Sequence, residues 1–284
     1  MLRFSRYVGS KLHFYDTFDR LSTKLGCTKY VEPFFGSGAV FFNETTKFDK
    51  YVINDSNPHI INTVNAFKNG TYERYAQIWK KVCDEFGDIK ESKESYYKMR
   101  DWSNENYFGG KGDRIDEGFL FHFLMNSCIN SMVRIGPNGM NQSWGNRMYL
   151  LTEHDYSAVS SILNNRTLEI NCDDYEAIIL KHDSPDTLMF LDPPYFSRPT
   201  VGYKDTIDKQ YELDRFLNLI LNLKSKVIYT DISNDAHSSV LSGWNSIATK
   251  ELKSVSPNRK DDDLSSMETA YFNFNARIGA TPLF

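Results

Sequence analysis

The fold class is indicated most clearly by the sequence Tyr30-Val31-Glu32-Pro33-Phe34-Phe35-Gly36-Ser37-Gly38. It predicts a strand that ends near Glu32, then a Gly-x-Gly turn, and then an apolar helix that begins at about Ala39. Glycines at 36 and 38 allow positive φ and a close approach to the backbone, and a helix N-terminus attracts electron-rich groups. This order of elements predicts an α/β fold with a ligand site at the turn.

A second predicted strand, Tyr51–Asn54, ends in Asp55. An acid at this distance from the glycine turn is placed to accept both hydroxyls of an adenosine ribose. A third glycine is missing, which argues against a dinucleotide because its pyrophosphate would have no cradle.

The sequence Asp192-Pro193-Pro194-Tyr195 follows the apolar run Thr187–Leu191, which predicts a buried strand. An acid at the carboxyl end of such a strand lies where open α/β sheets place their ligands. The prolines stiffen the backbone and cannot extend a sheet, so Asp192 and the nearby carbonyls remain as acceptors beside the ring of Tyr195. A planar group with an amino donor fits this arrangement. A Pro-rich turn that only closes a strand is the alternative, and the tyrosine and the glycine turn favour the functional interpretation.

The predicted elements divide the chain into two regions. Strand and helix patterns alternate up to residue 57 and again from residue 150, where Asp173-Asp174-Tyr175 follows another strand and Lys226–Thr230 is a further predicted strand. Residues 58–149 instead carry helical patterns, at roughly 58–68, 72–86 and 92–102, and in a strongly apolar helix from Gly118 to about Cys128. We interpret His122 on the apolar helix as a packed core histidine. We therefore expect one domain made of residues 1–57 and 150–284, with a mainly helical domain inserted at 58–149.

Composition limits the class of protein. The 284 residues are 40% hydrophobic with a formal net charge of −4, and no apolar run reaches membrane-spanning length. The first residues lack the pattern of a signal peptide, and the scattered cysteines suggest neither a zinc site nor disulfides, so we expect a reduced, cytosolic protein without a metal. The acidic total gives no support to a nucleic-acid partner, which would have to meet a local basic face.

A loop rich in amides, glycines and arginines covers residues 130–147. Asn and Gln pair with adenine, and Arg with guanine, in the major groove of DNA, although an ordinary polar hairpin is the alternative. A second polar stretch, Lys253–Ser266, is predicted to be a mobile loop whose basic residues Arg259 and Lys260 could meet phosphates.

Taken together, these segments resemble the Dam-type, D12 class family of DNA adenine-N6 methyltransferases, in the α-type motif order. Tyr7–Lys11 looks like the family's aromatic–x–Gly–Gly–Lys motif, with Ser10 in place of the second glycine. Val31–Gly38 is similar to its methionine-binding loop, and Asn54–Asn57 to its ribose-binding segment. Asp174-Tyr175 looks like the pair that contacts the cofactor's adenine, and Asp192–Tyr195 matches the catalytic tetrapeptide without change.

The resemblance extends to the amide-rich loop. Asn130–Arg134 followed by Gly139–Asn141 is similar to the family's Asn-Gly-x-x-Arg hairpin, whose arginine touches the target site. Gln142–Trp144 replaces the segment found in enzymes that read GATC, and the hairpin is slightly shorter. The resemblance therefore supports adenine methylation better than it supports a GATC target.

The resemblance implies a Rossmann-like, S-adenosylmethionine-dependent methyltransferase fold, with a mixed, mostly parallel sheet flanked by helices and a helical target-recognition domain. It implies site-specific methylation of a flipped adenine in double-stranded DNA, in the cytoplasm of a bacterial or phage-infected cell, without a metal. The implied catalytic residues are Asp192, Pro193, Pro194 and Tyr195. The implied cofactor-binding residues are Tyr7, Lys11, Glu32, Phe34, Gly36, Gly38, Asp55, Asp174 and Asp192. The implied DNA-binding residues are Asn130, Arg134, Asn138, Asn141, Gln142, Arg147, Arg259 and Lys260.

Several alternatives stay open. An N4-cytosine DNA methyltransferase uses the same amine chemistry, whereas RNA or protein amide methyltransferases usually carry Asn in place of Asp192. A catalytically silent DNA-binding relative is disfavoured by the intact Asp192 and Tyr195. A nicotinamide-dependent oxidoreductase fits the first strand and turn but not the tetrapeptide. The recognition sequence, the oligomeric state and the existence of a restriction partner are left open.

Overall fold

A seven-stranded sheet lies at the centre of the computed structural model, which describes residues 1–7, 9–131, 133–194, 209–232, 235–252 and 266–275. The described strands are β1 (Lys29–Glu32), β2 (Lys50–Asn54), β3 (Ile135–Gly136), β4 (Gly139–Met140), β5 (Leu168–Asn171), β6 (Thr187–Leu191), β7 (Lys226–Ile232), β8 (Asn245–Leu252) and β9 (Ser266–Phe272). The described helices are α1 (Tyr15–Ser22), α2 (Pro58–Asn69), α3 (Tyr72–Phe86), α4 (Lys93–Asn106), α5 (Arg114–Ser127), α6 (Glu153–Asn165), α7 (Tyr175–His182), α8 (Lys209–Leu221) and α9 (Asp235–Val240).

The strand order in the sheet is β5-β2-β1-β6-β7-β9-β8. Strands β5, β2, β1, β6 and β7 are mutually parallel, and β9 runs antiparallel to both β7 and β8. The five parallel strands follow the order of a Rossmann-like sheet, in which the direction of winding reverses between β1 and β6. The expected mixed, mostly parallel Rossmann-like fold is therefore confirmed.

Helices cover both faces of this sheet. Strand β6 is buried along its whole length, as strands covered on two sides must be, which explains its unbroken apolar run. On one face the rings of Phe14 and Phe18 pack at 5.7 Å from the ring of Phe190. On the other face α7 and α8 pack against the alternate residues of the same strands. The two layers hold the carboxyl ends of the parallel strands in fixed positions.

The helices between residues 58 and 149 pack continuously against their neighbours in the chain. Helix α2 packs against α5 and also against α6, which follows residue 149. A methyl group at Gly118 of α5 would meet a carbonyl of α2 at 2.6 Å, so the glycine permits the close approach of these helices. The region is mainly helical as expected. Its treatment as a separate domain stays a prediction, because one hydrophobic core runs through both regions.

His122 is a packed core histidine, as the sequence predicts. Its side chain is fully buried, Nε2 donates to the Phe4 carbonyl at 3.0 Å, and Nδ1 faces the Tyr75 hydroxyl at 3.4 Å. Burial lowers the pKa of His122 to about 4. The neutral ring therefore joins the N-terminal segment to α5.

Two predicted helix starts are wrong. No helix begins at Ala39, where residues 39–43 form only turns, because the Asn43 side chain bonds the Ala39 carbonyl at 3.0 Å and so closes the first turn. Helix α5 begins at Arg114, before the predicted Gly118, because the Asp113 carboxylate caps it by accepting from two backbone N–H groups.

Candidate active site

The polar side chains predicted from the sequence collect at one edge of the sheet. Parallel strands end at the same edge, so the ends of β1, β2, β5, β6 and β7 meet there. Strand β9 runs in the opposite direction and starts at this edge, which adds Glu268 to the group. The group consists of the side chains Lys11, Glu32, Asp55, Asp174, Asp192, Thr230 and Glu268.

Asp192 is held through one of its two carboxylate oxygens. Oδ1 accepts from the Lys11 ammonium at 2.6 Å and from the Thr230 hydroxyl at 2.8 Å. Among the described residues no hydrogen bond reaches Oδ2, and the side chain is 19% exposed. Burial raises the pKa of Asp192, while Lys11 and Thr230 oppose that rise. The arrangement fixes the carboxylate and leaves Oδ2 to accept a hydrogen bond from a ligand.

Lys11 lies between the carboxylates of Asp192 and Glu268. Its ammonium contacts Glu268 Oε1 at 3.3 Å and the Gly9 carbonyl at 3.1 Å, in addition to Asp192. The sequence predicts Lys11 as a cofactor contact, whereas the structure places its ammonium on Asp192. For Lys11 to bind the cofactor as predicted, its ammonium would have to replace at least one of these contacts with a contact to the cofactor.

Glu268 was not predicted from the sequence. It is 2% exposed, and its Oε2 contacts His13 Nε2 at 2.8 Å and the Thr249 hydroxyl at 3.0 Å. Only the pairing of β9 with β7 brings this residue to the edge, so no local sequence signal could have identified it. Thr230 had a weak signal, since it lies near the end of a predicted strand.

The glycine turn has the conformation that the sequence predicts. Gly36 and Gly38 have φ values of +49° and +59°, which other residues rarely adopt. The Gly36 N–H donates to Asp55 Oδ2 at 2.9 Å, and a Cβ at Gly36 would lie 3.3 Å from the Tyr7 ring. The structure therefore brings Tyr7, the glycine turn and Asp55 together.

Asp55 is anchored by the backbone on both oxygens. Oδ1 accepts from the Asn57 N–H at 2.9 Å, in addition to the bond from Gly36 to Oδ2. Burial raises the pKa of Asp55, and the two backbone bonds oppose the rise. Each carboxylate oxygen retains a second lone pair, so the carboxylate can still accept hydroxyl groups.

Asn54 lies in the segment that resembles the ribose-binding one, but it is not among the site residues predicted from the sequence. It is fully buried, and its amide donates to the Pro33 and Asp173 carbonyls at 3.0 Å and accepts from the Asp173 N–H at 2.8 Å. One side chain therefore ties together the loops that follow β1, β2 and β5. Its position at the end of β2 was the available signal.

An aromatic cluster stands beside the glycine turn. The ring of Phe34 lies 5.1 Å from that of Tyr175, and Phe216 packs against both. The Tyr175 hydroxyl is buried and has no hydrogen-bond partner within the described part of the chain. Asp174 is exposed and caps α7 by accepting from the Glu176 N–H at 2.9 Å. The predicted acid–aromatic pair is thus next to Phe34.

Glu32 departs from the predicted ligand contact. The side chain is 2% exposed, and its Oε2 accepts from the Tyr30 hydroxyl at 2.7 Å inside the core. Burial raises the pKa of Glu32 well above its usual range, and the charge of Asp192 adds to the rise. In this structure Glu32 is bound within the protein and is not presented to a ligand.

A cleft of about 770 Å³ opens next to Tyr7. Its lining includes Arg3 and Arg6 from the N-terminal segment and Asn130 and Arg147 from the amide-rich loop. No acidic residue is found among the described residues that line it. The structure therefore brings Asn130 and Arg147 together, and it adds two arginines that the sequence analysis missed because they lie outside any motif.

The amide-rich loop forms the predicted hairpin from β3 and β4. The Asn104 amide on α4 bonds both the N–H and the carbonyl of Met140, at 2.9 and 2.8 Å. Arg134, Asn138 and Asn141 are exposed on this hairpin. Gln142 is 8% exposed, so its side chain is turned inward and departs from the predicted DNA contact.

Some predicted residues cannot be placed. Tyr195, Arg259 and Lys260 lie outside the described residues. Pro193 is buried and Pro194 is exposed. No helix of the described ranges is long and apolar enough to cross a membrane. Within the same ranges no cluster of His, Cys, Asp or Glu side chains has the arrangement of a metal site.

Known proteins match most of the chain. A family model described as D12 class N6 adenine-specific DNA methyltransferase matches residues 7–260. The type II methyltransferase M.MjaIII of Methanocaldococcus jannaschii is 32% identical over 174 residues, which cover 59% of this chain and 58% of that protein. A DNA adenine methylase of Haemophilus influenzae is 25% identical over 197 residues, which cover 68% of this chain and 63% of that protein.

A viral protein gives a similar result. The type II methyltransferase M.CviBI of Paramecium bursaria Chlorella virus NC1A is 25% identical over 173 residues, covering 60% of each chain. The matched region thus spans about three fifths of the length of these curated relatives.

Proposed function

The chain belongs to the D12 class of N6 adenine-specific DNA methyltransferases, and from this membership we propose that it methylates the N6 amine of an adenine flipped out of double-stranded DNA. The observation that carries the proposal is the Asp192 carboxylate, which is held on Oδ1 by Lys11 and Thr230 and has no described partner on Oδ2. It lies at the edge of the sheet where Rossmann-like folds bind ligands.

S-adenosylmethionine is the proposed cofactor, and when bound it supplies an already activated methyl group. The residues present fit it. Gly36 and Gly38, which the positive φ values favour, add no side chains of their own to the turn, so that the methionine part can lie close to the backbone. Asp55 has lone pairs left for the ribose hydroxyls, and the Phe34–Tyr175 cluster offers aromatic surface and an unpaired buried hydroxyl to the adenine. Tyr7 lies against Gly36.

The chain contributes mainly orientation to the reaction. Asp192 Oδ2 accepts one hydrogen of the target amine, a carbonyl of Pro193 or Pro194 accepts the other, and Tyr195 stacks on the base. These bonds direct the nitrogen lone pair at the methyl carbon, and such positioning accounts for much of the rate. The bound cofactor would supply the methyl group to the amine nitrogen and would keep the electron pair of the bond that it loses. The amine then loses one proton to Asp192, and no earlier deprotonation is required.

The cleft lined by Arg3, Arg6 and Arg147 is the proposed path for the DNA backbone. Basic side chains bind DNA largely through its phosphates, and the local positive charge here offsets the acidic total of the chain. The exposed hairpin residues Arg134, Asn138 and Asn141 are proposed to read base edges, with Asn130 beside them. Arg259 and Lys260 keep their predicted phosphate role. The proposed activity belongs to the cytoplasm of a bacterial or phage-infected cell.

The proposal is tested by incubating the protein with plasmid DNA and S-adenosylmethionine and mapping modified bases by long-read sequencing. We expect N6-methyladenine within one short sequence motif. Methylation of cytosine would identify an N4-cytosine enzyme and reject the adenine assignment. An unmodified plasmid, together with measured binding of DNA and cofactor, would identify a silent DNA-binding relative.

A further inference from the structure

Lys11 connects Asp192 to a second carboxylate, that of Glu268, which lies outside all of the sequence motifs. We propose that Glu268 is a positioning residue for methyl transfer, because its carboxylate holds the Lys11 ammonium against Asp192 and so fixes the carboxylate that receives the target amine. This inference rests on the proposed function, and the experiments below separate the two.

The Lys11 ammonium is held in place by three contacts. An ammonium group has three N–H donors, and Lys11 directs contacts to Asp192 at 2.6 Å, the Gly9 carbonyl at 3.1 Å and Glu268 at 3.3 Å. The side chain is 3% exposed, so solvent screens these contacts little. The position of the ammonium, and with it that of Asp192 Oδ1, is therefore set by Glu268 as well as by the backbone.

Glu268 is itself fixed from several sides. It lies in β9 opposite Ile232 of β7, in the interior of the sheet. Strand β8 has an irregularity between Ala248 and Lys250, which leaves Thr249 out of the regular pairing. The Thr249 hydroxyl bonds both the carbonyl and the carboxylate of Glu268, at 3.1 and 3.0 Å. Bulges of this kind redirect a side chain. His13, which is 30% exposed, contacts the same carboxylate at 2.8 Å.

The charges predict opposite effects of two substitutions. Glu268 raises the pKa of Asp192 and Lys11 lowers it, although burial is the largest influence. Glu268→Gln should therefore lower the pKa of Asp192, whereas Lys11→Met should raise it. Among the described residues, Glu32 on β1 and Tyr229 on β7 also interact electrostatically with Asp192, and neither substitution changes them.

The kinetic experiment compares methyl transfer to plasmid DNA by the wild type, Glu268→Gln and Glu268→Asp. We expect the Gln variant to lower kcat about tenfold, less than the roughly 100-fold cost of a 1 Å misplacement of a reacting group. The KM values for cofactor and DNA should be unchanged, the acid limb of the kcat profile should move to lower pH, and the Asp variant should restore part of kcat.

The matched control is Glu169→Gln. Glu169 also pairs with lysines, Lys50 and Lys181, but it lies on β5 at the opposite side of the sheet. The Glu169→Gln variant should leave kcat and the acid limb of the kcat profile against pH unchanged. A Glu268→Gln variant with wild-type kcat and acid limb would overturn the inference while the wild-type activity upheld the proposed function. Circular dichroism checks that each variant is folded.

A titration that needs no turnover decides the inference independently of the activity. The carboxyl carbon of Asp192 is followed by ¹³C NMR and assigned by its loss in Asp192→Asn. The apparent pKa should fall in Glu268→Gln and rise in Lys11→Met. If the pKa stays the same in both variants, Glu268 does not act on Asp192. If the shifts occur but the wild type methylates no DNA, the proposed function fails and the electrostatic link stands.

Discussion

At the scale of single residues, the site depends on side chains whose freedom is removed by their neighbours. Asp192 follows a fully buried strand and precedes two prolines, so its backbone is constrained before any ligand binds. Lys11 and Thr230 then fix one oxygen of the carboxylate. The other oxygen, Oδ2, therefore points in a direction that the fold fixes. A weak nucleophile such as an aromatic amine needs an acceptor that is positioned in this way.

Asp192→Asn should abolish most turnover with little change in folding. The substitution keeps the shape of the side chain but removes the negative charge that accepts the amine hydrogen and, later, the proton. We expect kcat to fall at least about 100-fold, the lower range for loss of an acid–base group. Methyl transfer to DNA and thermal unfolding are measured together. Asp84→Asn on the surface of α3 is the control, and wild-type kcat in Asp192→Asn would contradict the mechanism.

Gly38→Ala should damage both the turn and cofactor binding. Gly38 has a φ of +59°, and a Cβ there would lie 2.3 Å from the Phe35 ring. We expect a loss of about 1–3 kcal/mol in the free energy of unfolding and weaker S-adenosylmethionine binding by calorimetry. Gly243→Ala is the matched control, because a Cβ at that position meets nothing within 4 Å. Equal affinity in the two variants would show that the turn does not bind the cofactor.

The residues that could be predicted from the sequence are those with a local signal. Asp192 and Asp55 follow apolar strands, and Gly36 and Gly38 lie in a turn that needs positive φ. Glu268 and His13 have no such signal, because they approach the site through the pairing of β9 and through the N-terminal segment. Long-range geometry of this kind is not present in any short stretch of sequence.

At the scale of secondary-structure elements, the hairpin shows how a short motif is supported. Strands of two residues have little stability alone, and the β3–β4 pair is held on α4 by Asn104 and by the bond from the Tyr96 hydroxyl to the Gln142 carbonyl at 3.0 Å. The residues proposed to read DNA are thereby presented on a fixed support.

Asn104→Leu should weaken recognition of the target sequence without changing cofactor binding. The variant removes two hydrogen bonds to Met140, worth about 1 kcal/mol each. We expect the equilibrium between the hairpin docked on α4 and the undocked hairpin to shift about 30-fold toward the undocked form, which corresponds to about 2 kcal/mol. The ratio of target to non-target DNA affinity, measured by fluorescence anisotropy, should fall. Asn106→Leu, also on α4 but bonded to its own helix, is the control. An unchanged affinity ratio would remove the hairpin from recognition.

Element type was easier to predict than element ends. Helix α3 and strand β6 have the predicted bounds, because periodic apolar patterns define them. The missing helix after Ala39 and the early start of α5 were decided by Asn43 and Asp113. Each of these polar side chains bonds a nearby backbone group, an effect that overrides the apolar pattern.

At the scale of the whole molecule, buried groups link folding stability to pH. His122 has a pKa of about 4 in the folded chain and near 6.5 when unfolded. The unfolded chain therefore binds more protons between these values, and the stability contributed by the neutral ring is lost as pH falls from 6.5 to 4. Glu44, whose pKa is raised to about 7 by burial, titrates in the opposite sense over an overlapping range.

Because these two effects oppose each other, the prediction concerns the difference in the free energy of unfolding between the wild type and His122→Gln. The free energy of unfolding of the wild type should fall by about 3 kcal/mol relative to His122→Gln between pH 6.5 and pH 4. Urea denaturation at several pH values measures it. The control is Gln77→Ala, a substitution of an exposed and uncharged side chain of α3, which should show no such trend. A constant difference for His122→Gln would show that the ring is not buried in neutral form.

The basic cleft predicts a salt dependence of DNA binding. Each phosphate contact contributes about 0.9 to the slope of log affinity against log salt concentration. Arg3→Gln and Arg147→Gln should each reduce the slope by about one unit and weaken binding to all sequences alike. Lys80→Gln, on the surface of α3, should leave the slope unchanged. Equal slopes in all variants would place the DNA elsewhere.

The whole architecture was accessible from the sequence chiefly through family resemblance. Alternating patterns predict an α/β protein, but the order of strands in a sheet depends on which distant segments pair. The cleft shows the same limit, because Arg3 and Arg147 both line it although they are 144 positions apart in the sequence.

Strand β9 has a consequence for how the protein is made. Of the described strands it is the last along the chain, yet it lies between β7 and β8, so β8 joins the sheet only after β9 has filled the gap. During synthesis the N-terminal parts emerge and fold first. A nascent chain that ends before β9 therefore carries Asp192 and Lys11 without Glu268. Assembly of the charged site is thus delayed until β9, which carries Glu268, has left the ribosome.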